Sequence, residues 1–275
     1  MLKYLGEQFR LNRYLQILTV IFLIFTIWWA SIYFRGLVDS DENTYFTLSY
    51  FILALFGGIA GISFARKWGG FKSTLGSSIW FFTLGLLAQA VGQIFYNSYI
   101  YFLGIELPYP SVGDVAFFVS VLFYILGAYH LAKISGIKLS MKSVMGKFQA
   151  LLIPAGILFI SYWMFLSGYD PDWSDTAVVF LDFGFPIGQA IFVSIAILAL
   201  LISKEILGGM MRKPIMLVIF ALIVQYIADF TFSYEVSRDL WYAGGLNDYL
   251  FALAYFAMSL ALFSIGNMFY KVQKS

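Results

Sequence analysis

The feature that most constrains this chain is the length of its apolar runs. Eight stretches are dominated by apolar residues: roughly 13–34, 46–66, 76–98, 111–133, 148–168, 177–203, 214–234 and 246–270. Each is close to the twenty or so residues that cross about 30 Å of hydrocarbon at 1.5 Å per residue. In lipid every backbone amide must bond within the segment, so runs of this length are read as helices. Composition agrees, because only 12% of residues are charged and 61% are hydrophobic, whereas globular chains carry about a quarter charged. The expectation is an all-α polytopic membrane protein with eight transmembrane helices. The first run is too long for a signal-peptide core and no small-residue cleavage site follows it, so it is read as a true span. Zero cysteines exclude disulfides, thiolate metal sites and cysteine nucleophiles.

Lys and Arg set the expected orientation. Fifteen of the seventeen basic residues fall in alternate segments. These are Lys3, Arg10 and Arg13; Arg66, Lys67 and Lys72; Lys133, Lys138, Lys142 and Lys147; Lys204, Arg212 and Lys213; Lys271 and Lys274. Only Arg35 and Arg238 are left for the other side, whose loops are acidic: Asp39, Asp41, Glu42, Glu106, Asp170, Asp172, Asp175, Glu235 and Asp239. Cytoplasmic loops carry the basic excess, so both termini are expected in the cytoplasm.

The two halves resemble each other. "LLAQAVGQIFYNSY" (86–99) aligns without gaps on "LIVQYIADFTFSYE" (222–235), placing Gln89 on Gln225 and Gln93 on Asp229. "SVGDVAFF" aligns with "GLNDYLFA", placing Asp114 on Asp248. The expected organisation is two four-helix repeats, 1–140 and 141–275. Four spans return the chain to its starting side, so the repeats are parallel.

Once loop charges are set aside, four acids remain within spans: Asp114, Asp182, Asp229 and Asp248, all toward the outer side. No Lys or Arg lies in a span core to neutralise them. A charge at mid-membrane costs about 2.5–3.5 kcal/mol on insertion scales. Such acids are therefore protonated, hydrated in a cavity, or paired with a bound cation or amine. Each also has a structural reading. Ser111 and Asp114 have capping-box spacing, and Gly245 to Asp248 repeats it with a poorer cap. Asp182 stands one turn before Pro186, where a kink frees a carbonyl. Asp229 shares a helix face with Gln225 and Ser233, and the matching face carries Gln89, Gln93 and Asn97; polar glue between helices is the alternative to a site there. The lone His130 is read as interfacial, since it cannot supply two haem ligands. No metal, cofactor or catalytic residue is assigned, and the aromatics are read as packing and interface anchors.

Pro110, Ser111, Asp114 and Phe117 in "PYPSVGDVAFF", following a polar-faced span, resemble an element of a known membrane region. It is the polytopic N-terminal sensor region of bacterial and archaeal signalling proteins of the diguanylate cyclase or histidine kinase type. Asp248 and Phe251 keep a weaker second copy. The resemblance implies a sensory module, and since "YKVQKS" ends the chain, one that signals through a partner protein rather than an output domain of its own.

The functional expectation is a non-enzymatic module of a prokaryotic cell membrane. Its outward-facing polar pocket is lined by Asp114, Asp182, Asp229 and Asp248 with Gln89, Gln93 and Gln225. Its partners are the lipid bilayer, a membrane or cytoplasmic protein, and a small cation or small molecule from the outer side; no nucleic acid is expected. A proton- or cation-coupled transporter is the alternative, since parallel repeats and embedded carboxylates fit that class. An intramembrane enzyme ranks last, because short inner loops leave no room for a catalytic domain and no HExxH or Ser/His pairing occurs.

Overall fold

A computed structural model describes residues 2–105, 108–135, 144–163, 173–206, 212–236, 238 and 240–274. The described chain is helical. After a short helix α1 (Leu2–Leu11) come α2 (Arg13–Phe34), α3 (Asp41–Ser49) and α4 (Phe51–Lys67). Next are α5 (Thr74–Asn97), α6 (Val112–Ile134), α7 (Val144–Ser161), α8 (Thr176–Ile206), α9 (Arg212–Val236) and α10 (Leu246–Lys274). The α3–α4 pair is continuous enough to count as one apolar segment, and among the described residues seven segments are long and apolar enough to cross a membrane. The fifth expected span corresponds to α7, a shorter apolar helix. Residues 164–168 of that span, the loop residues Glu106, Asp170, Asp172 and Asp239, and Lys138 and Lys142 lie outside the described residues.

The helices start where the chemistry of their first turns dictates. Asn12 accepts from the amides of Tyr14 and Leu15 to cap α2, and Ser73 caps α5. Ser40 and Asn43 form a capping box at α3, as Ser111 and Asp114 do at α6. Asp175 accepts from the amides of Ala177 and Val178 at α8. Each cap satisfies amides that the helix itself leaves orphaned.

Six segments close a ring. Going round it, α4 packs on α5, α5 on α6, α6 on α8, α8 on α9, α9 on α10, and α10 back on α4. α5 and α10 also touch across the middle. α2 leans on α10 from outside the ring and α7 leans on α8. The core follows the ring: Tyr50, Tyr124, Tyr255, Phe46, Phe82, Phe192 and Phe263 are its largest fully buried side chains. By contrast only 17% of the apolar window in α2 is buried, as an outer helix facing lipid requires.

The α4–α10 seam depends on close approach. A Cβ on Gly57 would fall 1.8 Å from Ser259 Oγ, so only glycine lets these backbones sit this near. The hydroxyl of Ser259 donates to the Leu53 carbonyl at 3.1 Å across that seam. α10 is tied to the first half at both ends. At one, Trp29 donates to the Gly245 carbonyl at 3.1 Å and Asn43 to that of Ala243 at 3.0 Å. At the other, Trp68 donates to the Ile265 carbonyl at 3.1 Å, and Asn12 to Asn267 Oδ1 at 2.9 Å.

Candidate functional site

Asp248 sits in the first turn of α10, 2% exposed. Its carboxylate accepts from the Thr47 hydroxyl of α3 at 2.5 Å and from the Gly244 amide at 2.8 Å. Gly244 has φ +68, and a Cβ there would lie 2.8 Å from Asn43 Cα. Glycine therefore lets the turn aim its amide at the carboxylate.

Inside the ring, amides of α5 meet tyrosines of its neighbours. Tyr50 donates to Gln93 Oε1 at 2.9 Å, and Gln93 Nε2 donates to Asn97 at 3.3 Å. Tyr255 of α10 donates to Gln89 Oε1 at 3.0 Å, and Gln89 Nε2 donates to Ser120 of α6 at 2.7 Å. The two strings are adjacent, with the Tyr50 and Tyr255 ring centroids 5.9 Å apart. On α9, Gln225 Nε2 donates to Asp229 Oδ1 at 3.0 Å, the pairing that i, i+4 spacing favours. Neither Asp229 nor Asp248 forms an ion pair with a described residue.

The other two acids are held apart from this interior. Asp114 accepts from the Ser111 amide at 2.7 Å, from the Ser111 hydroxyl at 2.6 Å, and from the Tyr96 hydroxyl. It thus closes the start of α6 against α5. Asp182 accepts from the Tyr109 hydroxyl at 2.6 Å in an exposed position beside the α6–α8 seam. The structure therefore brings Gln89 and Gln93 together around Tyr50 and Tyr255, sets Asp248 on Thr47 at the start of α10, and pairs Gln225 with Asp229 on α9. It leaves Asp114 buried in its own capping box and Asp182 at the rim.

Comparison with protein-family models, with curated proteins and with solved structures finds no match. The functional reading therefore rests on the geometry.

Sequence reasoning missed the tyrosines and Thr47. Nineteen Tyr and thirty Phe hide the few phenols that bond to an amide or an acid. Asn247 was missed too: wholly buried, it donates to the Ala228 carbonyl at 2.8 Å while its Oδ1 has no partner. Its position beside Asp248 was the available signal. Among the described residues no three acids, histidines or cysteines converge on a metal-sized site.

What the interior can do chemically follows from its inventory. Among the described residues it offers carboxylates, amide oxygens and phenols, and no fixed positive charge. Such a set accepts a proton, a small cation or an amine, and it holds polar groups where lipid alone would make them costly.

Proposed function

We propose that this chain is a sensory or partner-binding module of a prokaryotic cell membrane, with eight spans and both termini in the cytoplasm. Its polar interior, reached from the outer side, binds a proton, small cation or amine, and occupancy is passed to a partner protein. The observation that carries the reading is the pair Asp229, part-buried beside Gln225 on α9, and Asp248, buried at the start of α10, two carboxylates without an ion-pair partner among the described residues. Bulk packing does not require such groups, and each adds a desolvation cost that a bound cation would offset. Asp182 stands at the outer rim as the approach to it.

The two-repeat reading is supported by the matching helix starts. Asp114 and Asp248 both fall in the first turns of their helices, at the third position. The basic residues of the connections support cytoplasmic termini.

The test is thermal unfolding in nanodiscs, titrated with sodium ion, protons and ethylamine. A ligand that binds only the folded state stabilises it by about 2.7 kcal/mol at a hundredfold excess over Kd. One of the three probes is expected to raise the unfolding temperature of the wild type and leave Asp229→Asn unmoved. Equal shifts in both proteins, or none in either, would contradict the reading. A transporter is favoured by one further observation, the prolines inside α7 and α8 (Pro154 and Pro186), each of which removes an amide donor from its helix and weakens it locally, as transport cycles use such points. Flux of the bound ion into proteoliposomes, lost in Asp229→Asn, would establish that reading instead.

A further inference from the structure

At the end of the bundle that carries both described termini, α1 folds back against the last turns of α10. The Tyr4 hydroxyl meets Ser264 Oγ at 2.6 Å, and Asn267 Nδ2 donates to Gln8 Oε1 at 3.0 Å. These bonds hold α1 across the base of α2 instead of leaving it free in the interface. Between α1, α2 and α10 they leave a cavity of about 390 Å³. That volume is many times the ~30 Å³ share of a water molecule, and its walls are unsuited to water. Leu15 and Thr19 come from α2, Phe256 and Leu260 from α10, and Leu5 and Phe9 from α1. Among the described residues the lining carries one charge, Arg10, and no acid. Arg10 forms no ion pair with a described residue. Gly6 also lines the cavity, and a Cβ there would meet nothing within 4 Å.

We infer that this cavity is a binding site for one anionic phospholipid of the adjoining leaflet. An acyl chain fills the apolar slot along α2 and α10, and the phosphate meets Arg10 at its mouth. Charge decides the occupant. A zwitterionic lipid would fill the slot equally well, but the cationic amine of its headgroup would lie against the guanidinium and the neighbouring basic residues. A phosphodiester accepts from that guanidinium in the bidentate geometry Arg favours. The surroundings select in the same direction, since Arg13, Arg66, Lys67, Lys133 and Lys213 also lie at this end of their helices. Basic pockets between membrane helices recognise anionic headgroups in this way. The amphipathic α1 makes the third wall, so a lipid bound here would clamp α1 to the bundle.

The test is native mass spectrometry of the full chain, titrated with phosphatidylglycerol and separately with phosphatidylcholine. Wild-type protein is expected to retain one phosphatidylglycerol per chain, about tenfold more tightly than phosphatidylcholine. Arg10→Gln is expected to bind the two lipids equally, because only the charge is removed. Gly6→Phe is expected to lose both, because its ring occupies the slot while Arg10 remains. Thermal unfolding in phosphatidylcholine nanodiscs controls for folding, and both variants should match the wild type there. Equal affinity of the wild type for the two lipids, or unchanged selectivity in Arg10→Gln, would overturn the inference.

Discussion

Asp114 and Asp229 are both membrane-embedded acids, yet their surroundings assign them different work. Asp114 is consumed by its own helix start and by Tyr96. Replacing it with Ala removes the carboxylate half of the capping box, costing about 1 kcal/mol, and strands the Tyr96 hydroxyl, costing about 1–3 kcal/mol more. Asp114→Ala is therefore expected to lower stability by roughly 2–4 kcal/mol in detergent-titration unfolding. Asp229→Asn should change stability by less than about 0.5 kcal/mol, since an amide oxygen still accepts from Gln225. Comparable losses in the two variants would show that Asp229 is also structural. The Gln225–Asp229 pairing was legible because i, i+4 neighbours on a helix meet wherever that helix packs. The phenol partners were not, because a contact such as Tyr255 to Gln89 spans 166 positions and no local pattern encodes it.

At the level of elements, hydropathy located the spans closely: 13–34 is Arg13–Phe34 and 111–133 is Val112–Ile134. The second span begins earlier than its apolar run, at Asp41 instead of 46, because the Ser40–Asn43 capping box starts the helix within a polar stretch. α1 was missed altogether. Its apolar face is a periodic signal inside a segment of low average hydropathy, and a window that averages cannot see it. Its latch is pH-sensitive. Burial raises the Tyr4 phenol above its ordinary 10.0, with the Ser264 hydrogen bond opposing and Glu7 adding to the rise. Because the folded state holds this proton more tightly, the latch is intact below pH 10 and is lost as pH climbs through the raised value. Exchange protection of residues 4–11, taken relative to their base-catalysed intrinsic rates, should fall only there; a fall already near pH 8 would contradict the latch. The α4–α10 seam offers a second test. Gly57→Ala is expected to cost about 1–3 kcal/mol through overpacking, and Ser259→Gly in the same chain should recover most of it.

For the whole molecule, the decisive feature is the ring of α4, α5, α6, α8, α9 and α10, and it was not readable from spans alone. Alternation and basic loops say how a chain threads a bilayer; they do not say which helices become neighbours. The repeat between "LLAQAVGQ" and "LIVQYIAD" hinted at it by placing polar faces at matching depths of α5 and α9. Closure joins the α5 face to α10 through Gln89 and Tyr255, and the proposed function requires that Asp229 of α9 faces a polar space open to the outer side. The chain has no cysteine, so Asp229→Cys would carry a single thiol. Labelling that thiol in intact cells with a membrane-impermeant cationic thiosulfonate tests the claim most directly. The account predicts modification from outside, slowed by the ion or amine that stabilises the protein. A thiol that reacts only after the membrane is dissolved, or only from the side of the termini, would contradict it.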